Sequence, residues 1–262
     1  MPLKPEIIVM SDSTELAKTA ARVLVETAGE CVDRKGRFTV ALSGGSTPRH
    51  MNRMLAQEPL RSNMAWDKTH VFWVDERCVP QSDPASNYGS AHEDFLGRVP
   101  IPVDQVHPMP GEVAPEEGAK IYQRELEAHF RPSKGEYPVF DLVFLGIGTD
   151  GHTASLFPSA GSSALSKKWV VAVRGGIPDV YRLTLTYDVL NRANRICFLV
   201  SGKNKAQIVK TIFEDKESRL PAQGIRALHG KLQWLMDKEA SSLLTEGTIH
   251  GASQIHRPHS SR

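Results

Sequence analysis

FDLVFLGIGTDGH, residues 140–152, joins an apolar run to a glycine-rich loop that carries an acid and a histidine. The run at 142–145 is almost continuously apolar, which is typical of a strand buried on both faces of a parallel sheet. Further runs of this kind, rich in Val, Ile and Phe, occur at residues 7–9, 38–42, 71–74, 169–173 and 196–200. The chain therefore contains at least six candidate buried strands.

Helical patterns lie between several of these runs. Apolar residues recur at roughly helical spacing over residues 14–32, and similar patterns cover 116–130 and 203–213. Strands that alternate with helices predict a three-layer α/β fold, in which helices flank a mainly parallel sheet.

The length of 262 residues is sufficient to bury a substantial core. We predict a single α/β domain over residues 1–246. A proline-dense segment at 98–115 reads as an internal loop, because apolar strands resume after it. Residues 247–262 are polar and lack periodicity, which predicts a mobile tail.

Composition and charge exclude several classes of protein. Lys and Arg number 32 against 30 Asp and Glu, a balance that argues against nucleic-acid binding. The three cysteines are far apart and form no CxxC, so neither a disulfide framework nor a zinc site is expected. No apolar run approaches the roughly 20 residues that span a bilayer, and the first residues do not resemble a signal peptide. We expect a cytoplasmic protein without a membrane partner.

In open α/β sheets, ligands collect at the carboxyl ends of the strands, so the loops after the apolar runs are informative. The loop after 38–42 contains SGGSTPR, in which two glycines allow a close approach to an anion. Thr47 as N-cap and Pro48 as first helical residue would start a helix there. This loop is equally compatible with an ordinary capped turn and with a phosphate cradle. The candidate phosphate-binding residues are Ser43, Gly44, Gly45, Ser46 and Thr47.

The loop after 71–74 begins with two acids and an arginine. Arg77 offers a planar fork suited to a carboxylate, a phosphate or a developing oxyanion. Asp75 and Glu76 are possible site residues, although charges in a loop most often form surface ion pairs. Asn87 is a candidate for binding a sugar hydroxyl, or it begins a helix over residues 87–96.

The loop after 142–145 places Asp150 two residues before His152. A carboxylate that accepts a proton from one imidazole nitrogen leaves the other nitrogen free as a base. Ser155 follows, but no GxSxG elbow surrounds it. Water is then the natural nucleophile, with His152 as its general base.

Arg182 and Lys205 supply further cations that could bind a phosphate. Together, these loops predict an enzyme that acts on a small phosphorylated, sugar-like molecule by acid/base chemistry. The sequence shows no metal-ligand cluster and no nucleotide fingerprint.

Five motifs in order resemble the 6-phosphogluconolactonase family, over residues 8–237. They are SGGSTP at 43–48, DERCVPQSDPASNYG at 75–89, GIGTDGHTASLFP at 146–158, RLTLTYDVLNRA at 182–193 and SGKNKA at 201–206. The resemblance implies a sugar-phosphate isomerase-like (Rossmann-like) fold. It also implies hydrolysis of 6-phospho-D-glucono-1,5-lactone in the oxidative pentose phosphate pathway, without a metal or an organic cofactor.

The same resemblance implies roles for individual residues. His152 falls on the catalytic histidine, Arg77 on an active-site arginine, and Lys205 on the lysine where the phosphate is held. A related deaminase, glucosamine-6-phosphate isomerase/deaminase, carries a glutamate five residues after its histidine, where this chain has Phe157. That deaminase activity and a non-catalytic sugar-phosphate sensor are the alternatives. We expect a small-molecule substrate and a monomer or small homo-oligomer.

Overall fold

The computed structural model describes residues 4–158 and 167–253, with side chains described up to residue 249. Its centre is a seven-stranded sheet in which every neighbouring pair is parallel, in the order β1-β10-β9-β6-β2-β3-β5. The strands of this sheet are β1 (Glu6–Met10), β2 (Phe38–Leu42), β3 (Thr69–Trp73), β5 (Val106–His107), β6 (Leu142–Leu145), β9 (Arg195–Val200) and β10 (Lys231–Asp237). Strands β2 and β6 are buried along their whole length, as their continuous apolar runs predict.

Helices flank this sheet. They are α1 (Ser13–Lys35), α2 (Ser46–Leu55), α3 (Leu60–Asn63), α4 (Asn87–Asp94), α5 (Pro115–Phe130), α6 (Tyr187–Leu190), α7 (Ala206–Glu214) and α8 (Glu246–Ser253). In α1, the Asp12 carboxylate caps the first turn by accepting from the Thr14 and Glu15 amides. Gly36, at φ 75°, ends the helix in the left-handed conformation that glycine favours.

A second, three-stranded antiparallel sheet has the order β4-β8-β7, with β4 at Asp75–Arg77, β8 at Val180–Leu185 and β7 at Val170–Gly175. The run at 169–173 was expected to join the buried parallel sheet, and this expectation is wrong. Strand β7 is instead covered on one side by α5 and keeps Ala172 and Arg174 partly or fully exposed. A short apolar run does not distinguish these two environments.

Three further expectations need correction. Residues 75–77 form strand β4 instead of a loop, because their backbone pairs with β8, and three charged residues carry no strand signal of their own. Strand β10 is absent from the predicted set, because KLQWLMD contains polar residues at Gln233 and Asp237. Helix α2 begins at Ser46 with Gly45 as N-cap, so Thr47 lies inside the first turn and does not cap it.

The C-terminal end of the chain also bears on the predictions. Residues 247–253 belong to α8, which packs against β1, so the segment predicted as a mobile tail starts with a helix. Residues 254–262, where the rest of that predicted tail falls, lie outside the described part of the chain. Among the described residues, no helix combines the length and apolar character needed to cross a membrane.

Candidate active site

The carboxyl ends of β9, β6, β2 and β3 lie side by side, and the loops that follow them enclose a cleft of about 210 Å³. Most residues nominated from the sequence meet in this cleft. Its lining consists of Ser43, Gly44, Gly45, Asp75, Arg77, Asn87, Gly146, Ile147, Gly148, His152, Ala154, Arg182 and Lys205. Four further nominated residues lie outside this lining: Asp150, Glu76, Ser46 and Thr47.

His152 and Asp150 form the pair that their spacing predicts. The imidazole Nδ1 lies 2.6 Å from Asp150 Oδ1, and the backbone N–H of His152 donates to the same oxygen at 3.2 Å. In the neutral tautomer that donates Nδ1–H to the carboxylate, Nε2 carries the free lone pair. No described residue hydrogen bonds to Nε2, so this nitrogen is available as a base.

Glycines make this geometry possible. A side chain at Gly148 would overlap both the His152 ring and the Asp150 carboxylate. Gly151 has φ 82°, a left-handed conformation that places the histidine back over the loop. The glycines of GIGTDGH therefore let an acid and an imidazole that are two residues apart face each other.

Phe157 packs against the histidine. Its ring centroid lies 4.8 Å from that of His152, and the Arg182 guanidinium carbon lies 5.6 Å from the Phe157 centroid. Phe157 is buried. The residue that separates this chain from the deaminase pattern is thus in direct contact with the imidazole.

Arg77 and Arg182 face each other across the antiparallel pair β4 and β8. Arg77 Nη1 donates to the Ala85 carbonyl at 2.6 Å, while its buried Nε has no hydrogen bond to any described residue. Arg182 is 3% exposed, and its Nε donates to the Gly175 carbonyl. Burial, together with the charge of Arg77, lowers the pKa of Arg182. Two closely spaced guanidinium groups in a cleft make a strong site for an anion.

The two acids of the DER motif are buried and engaged. Glu76 accepts from the backbone N–H groups of Arg77, Asn87 and Tyr88 and from the Ser86 hydroxyl. Burial raises the pKa of Glu76, and these backbone donors offset part of the increase. Its carboxylate ties the end of β4, which carries Arg77, to the start of α4.

Asp75 reaches the cleft but is also bound from behind. Its Oδ2 accepts from the Ser155 hydroxyl at 2.7 Å, and its backbone carbonyl accepts from Asn87 Nδ2 at 2.8 Å. Ser155 is fully buried and holds Asp75 in place. This arrangement agrees with water as the nucleophile, because the Ser155 hydroxyl is already used.

The glycine-rich loop lies against Asn87. A side chain at Gly44 would overlap the Asn87 amide, so only glycine fits this approach. Gly45 has φ 104°, and the buried Ser43 Oγ has no hydrogen bond to any described residue. Ser46 and Thr47 begin α2, whose first amides point out of the helix end. The loop presents an unsatisfied hydroxyl and a helix start to the cleft.

Lys205 closes the cleft from the side of β9. Its ammonium donates to the Ile147 carbonyl at 2.8 Å. Burial lowers the pKa of Lys205, and the charge of Asp150 opposes the shift.

Ile147 and Ala154 also line the cleft but were not nominated, because backbone contributions to a site leave no side-chain signal in a sequence.

Known proteins resemble this chain over most of its length. The family model described as glucosamine-6-phosphate isomerases/6-phosphogluconolactonase matches residues 11–234. A 6-phosphogluconolactonase from Synechocystis sp. is 37% identical over 246 residues, which cover 92% of this chain and 99% of that protein.

Solved structures agree. A 6-phosphogluconolactonase from Trypanosoma cruzi superposes with a TM-score of 0.82 at 29% identity and covers 94% of this chain and 98% of its own. A monomeric glucosamine-6-phosphate deaminase has a TM-score of 0.75 at 24% identity, with 91% and 99% covered, and shares the fold. These findings confirm the resemblance carried by the five motifs and the predicted α/β fold class. The chain belongs to the family of glucosamine-6-phosphate isomerases and 6-phosphogluconolactonases.

Proposed function

We propose that this chain hydrolyses 6-phospho-D-glucono-1,5-lactone to 6-phospho-D-gluconate, the second step of the oxidative pentose phosphate pathway. The likeness to the Synechocystis lactonase, at 37% identity over 92% of the chain, supports this reaction. The observation that carries it is Phe157, which packs on the His152 ring where the related deaminase has a glutamate. Ring-opening deamination would need that carboxyl group, whereas hydrolysis needs one base and an oxyanion site.

The cations of the cleft hold the phosphate end of the substrate in this proposal. Lys205 and Arg182 line the cleft beside the glycine-rich loop, and the amides at the start of α2 add a partial positive charge. Ser43 Oγ, which is buried without a partner among the described residues, is a further donor. Asn87 lies against the loop and is a candidate for a sugar hydroxyl.

His152 acts as the general base. Its Nε2 takes a proton from water while the water oxygen attacks the lactone carbonyl carbon. The tetrahedral intermediate then collapses, and the bond between the carbonyl carbon and the ring oxygen breaks. His152 returns its proton to that ring oxygen, which leaves as a hydroxyl, and the new carboxyl group ionises.

Asp150 and Arg77 assist this sequence without exchanging protons. Asp150 holds Nδ1–H and stabilises the imidazolium that forms in the transition state. Arg77 has an unpartnered Nε among the described residues and stabilises the oxyanion, directly or through water. A positioned base contributes about 10²–10⁴-fold and one oxyanion donor about 10²–10³-fold.

A coupled assay tests the reaction. Glucose-6-phosphate dehydrogenase generates the lactone in the cuvette, and its decay is followed with and without the protein. We expect decay well above the uncatalysed rate and no ammonia release from glucosamine 6-phosphate. Ammonia release would identify a deaminase instead. Binding of 6-phosphogluconate without any acceleration would identify a sugar-phosphate sensor.

The assembly state is part of the same proposal. We infer a monomer or small homo-oligomer that acts on a small molecule, since every catalytic group proposed above comes from one chain. Light scattering coupled to size exclusion, with and without 6-phosphogluconate, measures the state directly.

A further inference from the structure

Three histidines that the proposed reaction does not use meet at one edge of the seven-stranded sheet. His70 lies on β3, His107 on the edge strand β5 and His129 in the last turn of α5. One ring nitrogen of each lies within 4.8 Å of a ring nitrogen of the other two. We call this set the histidine cluster.

The cluster has the dimensions of a metal site. His70 Nδ1 lies 3.0 Å from His107 Nε2, which is hydrogen-bonding distance, and an ion would replace the proton that these two nitrogens share. Nitrogen ligands of a tetrahedral ion with bonds of about 2.0–2.1 Å are roughly 3.3 Å apart. To bind an ion, His70 Nδ1 and His107 Nε2 must therefore move slightly apart. The His129 imidazole must move closer to both, which a rotation of its side chain can achieve.

His129 gives the second observation that points to a ligand. Its Nε2 is buried and forms no hydrogen bond with any residue in the described part of the chain. A buried polar atom without a partner costs about 1–3 kcal/mol, and such atoms are rare enough to need an explanation. A bound ion would give the lone pair of His129 Nε2 a partner.

Glu125 completes an arrangement typical of metal-binding histidines. Its carboxylate lies 2.7 Å from His107 Nδ1, so it accepts Nδ1–H and leaves the His107 Nε2 lone pair directed into the cluster. Histidine ligands in metal sites usually donate their second N–H to a carboxylate or carbonyl in this way.

The surroundings are apolar and favour neutral imidazoles. Phe72 stacks on His107 at 4.2 Å, and Phe130 lies 5.0 Å from His129. Neutral rings are the form that binds metal.

We propose that the histidine cluster binds one divalent transition-metal ion of the zinc type, with three imidazole nitrogens as ligands and water in the fourth position. Three nitrogens without a thiolate suit zinc, copper or nickel better than calcium or magnesium. The ion joins β3, the two-residue edge strand β5 and the end of α5. It is a structural clamp, because His70 lies five residues, roughly 16 Å of strand, before Asp75 at the cleft.

The sequence could not reveal this site, because its ligands are 37 and 22 residues apart on three different elements. Metal motifs are recognised by short fixed spacings. The proposal departs from the sequence-based expectation that the chain has neither a zinc site nor a metal-ligand cluster.

Zinc titration of the full chain tests the proposal. The protein is stripped with chelator, returned to chelator-free buffer and titrated with zinc chloride by calorimetry. A background of His250→Gln, His256→Gln and His259→Gln removes the histidines of the C-terminal segment as competing ligands. We expect one zinc per chain with micromolar or tighter Kd. At a free zinc concentration 100 times Kd, Tm should rise by roughly 5–10 °C.

Variants identify the ligands. His129→Gln should weaken zinc binding at least 100-fold, whereas His92→Gln, on the exposed side of α4, should leave it unchanged. Lactone hydrolysis should be the same in all of these proteins, so this test is independent of the proposed function. Retention of stoichiometric zinc in both His70→Gln and His129→Gln would overturn the proposal.

Cobalt substitution provides a readout that needs no variant. Co²⁺ in a four-coordinate nitrogen-rich site absorbs visible light much more strongly than octahedral Co²⁺. Strong absorption that appears with one equivalent of Co²⁺ and disappears with one equivalent of Zn²⁺ supports the site. A weak octahedral spectrum, or no binding tighter than about 100 μM, would refute it.

Discussion

Strand β4 and the glycine-rich loop after β6 both carry carboxylates at the edge of the cleft, and they place them in opposite environments. Glu76 is 3% exposed and accepts four hydrogen bonds, three of them from backbone amides. The Asp150 side chain is 52% exposed, and its Oδ1 is shared by the ring and the amide of His152. The local sequences are similar in kind, since each acid lies within five residues of the end of an apolar strand of the parallel sheet.

Burial and hydrogen bonding separate a structural acid from a functional one. A carboxylate whose acceptor positions are filled by amides fixes the path of a loop, and moving it would expose those amides. A half-exposed carboxylate with one imidazole partner fixes little of the fold, but it sets which nitrogen of the imidazole is free. We therefore assign Glu76 to the architecture of the site and Asp150 to its chemistry. Four substitutions test that division.

Replacement of the base should have the largest effect. His152→Ala is expected to lower kcat by about 10²–10⁴-fold, because water then attacks without a proton acceptor. The ring is partly exposed, so Tm should change little. Lactone decay measures the first effect and thermal unfolding the second. Activity within a few-fold of the unsubstituted protein would show that His152 is not the base.

Replacement of the structural acid Glu76 should mainly lower the stability of the fold. Glu76→Ala leaves one buried and two partly buried N–H groups and the Ser86 hydroxyl without their acceptor, which should cost about 3–5 kcal/mol in the free energy of unfolding. Urea unfolding measures this loss. Glu26→Ala, at an exposed position of α1, is the matched control and should stay within about 0.5 kcal/mol. A loss of activity in Glu76→Ala at unchanged stability would place Glu76 in the chemistry instead.

The functional acid should show the reverse behaviour. Asp150→Asn removes a charge-assisted hydrogen bond of about 1.5–3 kcal/mol, and we expect kcat to fall by about 10–100-fold with Tm nearly constant. The loss is smaller than in His152→Ala because the imidazole is still present. Steady-state kinetics and thermal unfolding on the same samples measure both quantities. A variant that loses stability but keeps its kcat would reverse the assignment of Asp150 and Glu76.

These assignments show which parts of the molecule could be predicted from its sequence. The continuous apolar runs of β2, β6 and β9 predict buried parallel strands, because burial on both faces leaves no other pattern. The Asp150–His152 pair follows from a two-residue spacing between glycines. Both signals are local.

The features that were missed depend on contacts between distant segments. Asp75–Arg77 forms a strand only because β8 lies beside it, and the bond between Ser155 and Asp75 joins residues 80 positions apart. Strand β10 contains Gln233, whose amide and carbonyl are paired with Glu6 and Arg195. A buried polar residue of this kind looks exposed in sequence until its partners are known.

A third acid, which is buried like Glu76, is satisfied by side chains instead of by backbone amides. Asp94, at the end of α4, accepts from Arg49 Nε at 2.7 Å and from Arg53 Nε at 2.9 Å, which ties α4 to α2. Burial alone would raise the pKa of Asp94, but the arginine hydrogen bonds outweigh it and lower the pKa below its ordinary value of 3.8. A carboxyl group with a depressed pKa in the folded state stabilises the fold above its unfolded pKa. That contribution is lost as pH falls through the folded value.

Asp94→Asn should therefore cost about 1–2 kcal/mol at pH 7, since the partly exposed arginines are screened by water. The difference in the free energy of unfolding between the unsubstituted protein and Asp94→Asn should shrink as pH drops below 4. It should vanish once Asp94 is protonated in both the folded and the unfolded state. Urea unfolding at a series of pH values from 7 to 2.5 measures the difference, and kcat at pH 7 should stay within about twofold. A cost that is constant across this range would mean that the shape of the side chain matters and its charge does not. In that case, burial alone would not separate structural from functional acids, and the nature of the hydrogen-bond donors would be needed as well.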